Sequence, residues 1–196
     1  MGSFHFEGFS NLTSVTLPDC VTSITVRTFY NCKNLTSVNI GNSVTSIGYA
    51  AFRSCRKLSS LTLPNTVTTI EDQAFEDCGA LTSINIPCSV TSIGKYAFNA
   101  CSGLASVHIT DLASWCNIDF QNKFSNPLYY AHRLFLNGEE VHDLVIPNSV
   151  KSIGNRAFCG CGGLTTVTIP NSVTSIGEYN QEIKGETNVE IIPVIA

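Results

Sequence analysis

Apolar residues in this chain fall into columns. Leu12, Leu35, Leu58, Leu81, Leu104, Val141 and Leu164 are each followed three residues on by Val15, Val38, Leu61, Ile84, Val107, Leu144 and Val167, and five residues on by Leu17, Ile40, Leu63, Ile86, Ile109, Ile146 and Ile169. The last two columns alternate with polar residues, the period of a β-strand that buries one face. Proline closes most of these strands, at Pro18, Pro64, Pro87, Pro147 and Pro170, where a missing N–H is best tolerated. Val21, Val44, Val67, Val90, Val150 and Val173, then Ile24, Ile47, Ile70, Ile93, Ile153 and Ile176, predict a second wall of the same core. Gly48, Gly94, Gly154 and Gly177 turn the chain, and Ala-Phe-x-x-Cys, as in Ala51, Phe52 and Cys55, predicts an outer arc of a short helical or 3-10 turn.

Phenylalanine measures the period. Phe6, Phe29, Phe52, Phe75 and Phe98 stand 23 residues apart, and Phe135 and Phe158 repeat that interval after one interruption. Self-similarity at about 20–29 residues around an L-x-x-L-x-L core reads as a solenoid of leucine-rich repeats, each coil giving one strand to a shared sheet. The fold class predicted is therefore an α/β repeat. Its concave side is a parallel sheet of about 7–8 strands and its convex side short helices, 3-10 turns and loops. The whole of 1–196 reads as one solenoid, with regular coils over about 6–109 and 135–177, an irregular inserted coil over about 110–134, and a degenerate C-terminal cap over 178–196. In the cap, Gln181 and Lys184 replace the Phe and Cys of the arc, while Thr187–Ile192 is expected to form an eighth strand, with Ile192 and Pro193 one period beyond Ile169 and Pro170. At the other end Phe6 and Phe9 occupy the Phe and Cys columns, so the chain is expected to begin half-way round a coil, as a fragment of a longer array or a coil covered by a partner would.

The ninth position of such a repeat usually carries Asn or Cys to satisfy backbone groups at the bend. Cys20, Ser43, Thr66, Ser89, Ser149 and Ser172 hold it here, which predicts a hydroxyl ladder in place of an asparagine ladder. The nine cysteines do not suggest a disulfide framework or a metal site. Cys32, Cys55, Cys78, Cys101 and Cys161 share one apolar column, with Phe9 as its first member and Gly138 as its sixth, which reads as free buried thiols behaving as small hydrophobes. Cys159-Gly160-Cys161 is a lone C-x-C without a second pair.

Between Ile109 and Ile146 the spacing is 37 residues, so one coil carries about fourteen extra, assigned to the stretch from Thr110 to Leu134. Insertions of this kind map to one face of a solenoid, often the binding face. This one holds the single Trp, Trp115, whose conservative reading is that it folds back with Phe120 and Phe124 to fill an irregular coil. It also holds Tyr129, Tyr130, His132 and Arg133, of which the tyrosines and the arginine are of types enriched at interface hot spots.

The outward columns of the strands are Ser14, Ser37, Ser60, Ser83, Ser106, Asp143 and Thr166, then Thr16, Asn39, Thr62, Asn85, His108, Val145 and Thr168. Such a surface is small, flat and hydroxyl-rich, and it varies only where His108, His142 and Asp143 are expected to come together. The candidate binding residues are therefore His108, Tyr129, Tyr130, His132, Arg133, His142 and Asp143. A catalytic reading of Ser106, His108 and Asp143 lacks a nucleophile on a strained turn and an oxyanion hole, so no enzyme, catalytic residue, metal or cofactor is expected.

Composition narrows the partners. Hydrophobic residues at 43% argue against disorder, and 13% charged residues with a net charge of −4 leave no basic face for nucleic acid. No run approaches 18 apolar residues, so no membrane insertion is expected. Met1-Gly2-Ser3-Phe4-His5-Phe6 lacks the basic region and apolar stretch of a secretory signal.

The pattern L-x-x-V-x-I-P-x-S-V-x-x-I-G-x-x-A-F-x-x-C over residues 6 to 177 resembles the BspA-like leucine-rich repeat family. So does the variant coil Trp115-Cys116-x-Ile118-x-Phe120 followed by Asn126-Pro127-Leu128. The resemblance implies adhesion or protein recognition, often at a cell surface, and transfers no catalytic residue. The expected function is a non-enzymatic protein-recognition or scaffolding solenoid of an adhesin-like surface or secreted protein. A glycan-binding adhesin segment and a structural spacer of a longer array are the alternatives. The implied location is extracellular or at the cell surface, with a cytoplasmic one left open by the missing signal.

Overall fold

The computed structural model describes residues 5–180 and the strand Glu190–Pro193. Each coil gives a concave strand, a strand on a second wall, and an arc of turns. The concave strands, numbered along the chain, are β1 (Ser14–Thr16), β3 (Ser37–Asn39), β5 (Ser60–Leu61), β7 (Ser83–Asn85), β9 (Ser106–Ile109), β11 (Leu134–Leu136), β13 (Asp143–Val145), β15 (Thr166–Ile169) and β17 (Glu190–Pro193). The wall strands are β2 (Ser23–Ile24), β4 (Ser46–Ile47), β6 (Thr69–Ile70), β8 (Ser92–Ile93), β10 (Asp119–Phe120), β14 (Ser152–Ile153) and β16 (Ser175–Ile176). Concave strands pair in parallel as β1-β3-β5, β7-β9-β11 and β13-β15-β17, and wall strands as β2-β4-β6-β8-β10 and β14-β16. In the first coils the register is one period, Ser14 opposite Ser37 and Val38 opposite Leu61.

The core repeats without variation through four coils. Phe29, Phe52, Phe75 and Phe98 are fully buried, and from Phe6 to Phe98 neighbouring rings stack with centroids 5.2–5.4 Å apart. The cysteine column is free and buried as expected, and it does more than fill space. Cys55, Cys78 and Cys101 each donate the S–H to the carbonyl of the preceding coil's phenylalanine, Phe29, Phe52 and Phe75, at 3.1 Å. Burial pushes the Cys101 thiol up to about 12 and the Cys78 thiol well above its ordinary value, so the column stays protonated.

Of the short helices, 3-10 turns and loops expected on the convex side, the regular arcs use turns closed by bonds three residues apart, such as the Cys55 N–H to the Phe52 carbonyl at 3.0 Å. Their residues stand in the left-handed region twice per coil without glycine: Arg27, Ala50, Gln73 and Tyr96 in one series, Asn31, Ser54, Asp77 and Ala100 in the other, with φ between 51° and 62°. Each such residue costs about 1–2 kcal/mol. What holds it is the next coil, because Asn31, Ser54 and Asp77 donate their N–H to the carbonyls of Arg53, Glu76 and Asn99 at 2.8 Å. Hydroxyls add a lateral ladder. Thr66 and Ser89 donate to the carbonyls of Val44 and Val67 at 2.6 Å, so two members of the predicted column bond to the coil before them. Exposed threonines contribute more rungs, Thr45 to Thr22, Thr68 to Thr45 and Thr91 to Thr68.

The fifth coil departs from this plan. Leu134 pairs with Val107, 27 residues earlier, so this coil is only four residues longer than the regular 23. The rest of the interruption is a β-hairpin, in which β11 turns at Asn137-Gly138 into β12 (Glu139–Glu140), antiparallel to it. Positive φ at both turn residues, 52° and 90°, is the geometry that Asn-Gly favours in a two-residue hairpin. Phe135 therefore lies on a concave strand opposite His108 and outside the stacked spine, and Gly138 belongs to the turn and to no cysteine column. The spacing of 37 residues from Val107 to Leu144 is thus 27 for the long coil and 10 for the hairpin, and the interval of 23 between Phe135 and Phe158 is a coincidence.

Helix occurs in this coil: α1 (Leu112–Cys116), a 3-10 turn over Lys123–Ser125, and α2 (Leu128–Ala131). Trp115 and Phe120 are buried and pack ring against ring at 5.2 Å, with Phe120 on the wall strand opposite Ile93. Trp115 Nε1 and Asn126 Nδ2 both donate to the Ala157 carbonyl, at 2.9 and 3.1 Å, and Asn126 Nδ2 also reaches the Arg156 carbonyl at 2.7 Å. The fifth coil is thereby tied to the next by side chains. At the far end Ile169 pairs with Pro193 and Thr168 with Ile192, one residue off the expected register. Gln181, Lys184 and the first part of the expected strand, Thr187 to Val189, lie outside the described residues.

Candidate binding face

The hairpin changes the chemistry of the concave face. Through the first four coils the outward positions are Ser, Thr and Asn, and then at β9 and β11 they become His108 and Phe135. The two rings stack at 4.7 Å with 24° between their planes. Arg133, two residues before Phe135 and on the same face, lies with its guanidinium carbon 5.2 Å from the Phe135 ring centroid. It also holds Glu140 in a bidentate pair, Nε to Oε1 at 2.8 Å and Nη2 to Oε2 at 2.6 Å. That hydrogen bonding lowers the Glu140 carboxyl below the usual carboxylate range and raises the guanidinium of Arg133.

His142 Nε2 stands 3.9 Å from Glu140 Oε2, and its Nδ1 is 3.0 Å from the Gly163 carbonyl. Asp143 Oδ1 accepts from the hydroxyls of Thr166 at 2.7 Å and Thr165 at 2.9 Å, bonds that lower its carboxyl. Beside it Val145 is 62% exposed. His108 does not meet His142 and Asp143 as the sequence suggested, because β11 and β12 lie between them. Ser106 Oγ is 2.9 Å from His108 Nε2, and among the described residues no carboxylate bonds to the other ring nitrogen. Among the described residues no group of three His, Cys, Asp or Glu is placed to hold a metal ion.

The other candidates sit on the convex arc. Tyr130 Oη accepts from the Ala100 N–H at 2.9 Å and is 3.2 Å from Asn99 Oδ1, so its hydroxyl serves a left-handed residue of the coil before it. Tyr129 packs edge-on against Phe124 and Tyr130, and Lys123 lies over its ring at 5.2 Å. His132 caps α2 with φ of 58°, and its Nδ1 is 2.8 Å from the Gly160 carbonyl. Gly160 has room for no side chain, since a Cβ would stand 2.6 Å from the Tyr129 Cα. The seven predicted residues thus divide between two faces: His108, Arg133, His142 and Asp143 on the concave side, Tyr129, Tyr130 and His132 on the convex. Phe135 and Glu140 were missed as members of the concave group, whereas Val145 stands in the outward column where the strand pattern put it. Asn137-Gly138 directly after Leu134-Phe135-Leu136 was the signal that would have found Phe135 and Glu140.

A sheet of short hydroxyl columns, ended by one varied patch, and a core repeated coil by coil define a solenoid of the leucine-rich repeat class. The model of the BspA-type leucine rich repeat region, in six copies, matches residues 1–126 and 130–189, and the chain belongs to that family. No curated protein matches it. Among solved structures it is similar to a T. pallidum leucine-rich repeat protein, at 24% identity and TM-score 0.48 over 93% of this chain and 71% of that one. It is also similar to a leucine rich cell surface protein from Faecalibacterium prausnitzii, at 25% identity and TM-score 0.43 over 85% of this chain and 57% of that one. With the pneumococcal vaccine antigen PcpA it shares 18% identity and a TM-score of 0.59 over 98% of this chain and 44% of that one, a likeness of fold. The chain spans about half the length of the last two. Among the described residues no helix is long and apolar enough to cross a membrane.

Proposed function

We propose that this chain is a non-enzymatic recognition or scaffolding solenoid that binds a protein partner through the concave face at the hairpin, as part of a surface or secreted adhesin-like protein. The observation that carries the reading is the hairpin itself. It places Phe135, Arg133 and His108 in one stack on a face that is otherwise Ser, Thr and Asn, and a partner can be chosen only where positions differ. The surface origin is supported by family membership.

The test is retention of native-environment proteins on the immobilised chain, run beside a glycan array. A protein held by the unaltered chain and by Ser37→Ala and Ser60→Ala, and lost with Phe135→Ala, is the expected result. Glycan binding that depends on Ser37 and Ser60 and ignores Phe135 would overturn the reading in favour of a repetitive glycan ligand on the smooth sheet.

A further inference from the structure

The concave ladder breaks twice, between β5 and β7 and again before β13, and only the second break has the hairpin beside it. β12 pairs with β11, and β13 pairs with β15, but among the described strands nothing pairs with the other edge of β13. Bonding residues alternate along a strand in a parallel pair. The His142 carbonyl accepts from Thr165 and the Ile146 N–H donates to Thr168, so the even-numbered residues bond toward β15. The N–H and C=O groups of Asp143 and Val145 therefore point to the unpaired edge. In front of that edge, in the fork between hairpin and β13, lies a hollow of about 410 Å³.

Its walls have a definite chemistry. Leu112, Leu136, Val141 and Val145 are apolar, while Glu139 and Asp143 bring carboxylates. Arg133 meets the charge of Glu140, but among the described residues neither Glu139 nor Asp143 is paired with Lys or Arg. The volume lies at the small end of the range of about 300–1,000 Å³ that encloses small ligands, and suits a few peptide residues better than a folded surface.

We propose that this fork binds an extended peptide segment of the partner, which adds as a strand to the free edge of β13 and alternates Lys or Arg with β-branched apolar side chains. The proposal rests on the reading of the chain as a protein binder and names the form of what is bound. Main-chain bonds to Asp143 and Val145 supply affinity, and the alternate side chains supply selection, one set meeting the carboxylates and the other the apolar wall. An unpaired edge inside a sheet also invites association with another copy of the chain, which the same experiment detects.

The probe is a fluorescein-labelled peptide of sequence Lys-Val-Lys-Val-Lys-Val, followed by fluorescence anisotropy against the full chain. A Glu-Val peptide of the same length is expected to bind at least tenfold more weakly, and Asp143→Asn to weaken the Lys-Val peptide about fivefold. Two further peptides carry N-methyl groups, one on every Lys and one on every Val. An added strand uses alternate N–H groups, so one of these should lose binding and the other keep it. Val145→Pro removes one N–H from the free edge while sparing the β15 ladder, and should abolish binding with unchanged circular dichroism. Should that variant unfold, the N-methyl pair gives the same answer on the unaltered chain. Equal binding of the charge-reversed peptide, equal effects of the two methylations, or sedimentation showing a dimer that Asp143→Lys dissolves would each overturn the proposal. If the peptide fails while Phe135→Ala still releases a protein partner, this inference falls and the reading of the chain as a binder stands.

Discussion

Coils one to four and the fifth coil use the same strand columns, yet they are held in different ways. In the first region each coil repeats one set of contacts with its neighbours: ring on ring, thiol to carbonyl, left-handed N–H to carbonyl. In the second the contacts are particular, with Trp115 and Asn126 reaching into the next coil and Arg133 bound to Glu140. Repetition gives cohesion that any coil of the same sequence could supply. The particular contacts are what allow a fork, a hairpin and a varied surface to exist inside a repeating frame.

The sharpest way to break the comparison is to cut both regions in the same manner. Phe75→Ala removes a fully buried ring stacked between two others and should destabilise by about 3–5 kcal/mol in denaturant unfolding, with the loss felt by both adjoining coils. Phe135→Ala, from a half-buried ring on the surface, should leave the unfolding midpoint close to that of the unaltered chain. Equal losses would mean that Phe135 belongs to the core.

Asn126→Ala tests the ties of the fifth coil. It leaves the Leu128 N–H and the Arg156 carbonyl without their partner in a buried place, and a loss of about 2–3 kcal/mol is expected from calorimetry. A silent substitution would show that packing of Trp115 alone joins this coil to the next.

The spine was legible in the sequence and the hairpin was not, for a physical reason. Phe29 to Phe98 recur because each fills the same buried volume, so any departure would leave a hole, and the period is written directly in the residues. The hairpin fills no repeated volume. Its signal was local, Asn137-Gly138 between Leu136 and Glu139, and the coincidental interval from Phe135 to Phe158 drew those residues into columns they do not occupy. The binding face suffered accordingly: Tyr129 and Tyr130 have the residue types of an interface but serve the convex arc, while Phe135 was counted as core.

A third measurement uses pH. Below about pH 9 the Cys101 thiol is protonated whether the chain is folded or not. Above it the unfolded chain ionises, while the folded thiol, pushed up to about 12 by burial, does not. Stability should therefore fall as pH rises from about 9 toward about 12, by about 1.4 kcal/mol per unit for each such thiol. Cys101→Ala should flatten that slope in unfolding experiments at pH 9 to 11, and an unchanged slope would refute the assignment.

The smallest effect sharpens the account of the arcs. Ala100 is exposed with φ of 58°, so Ala100→Gly relieves left-handed strain at little loss of contact. After the added flexibility of the unfolded chain, a gain of about 0.5–1 kcal/mol is expected in thermal unfolding. A loss would mean that the strain at these positions is smaller than their geometry implies.

The bonds from each left-handed residue to the next coil have a mechanical meaning. They run between coils, so a molecule pulled from its two ends carries the load through them in series, and each coil can peel away once its neighbour has gone. Every such step would free about 75 Å of chain, the length of 23 extended residues less the thickness of a coil. The regular coils should yield at similar forces. At the junction bridged by Trp115 and Asn126, among the described residues, neither the concave nor the wall strands pair, so side-chain bonds take the place of strand bonds there, and that junction should yield at a force of its own, apart from the common value of the regular coils.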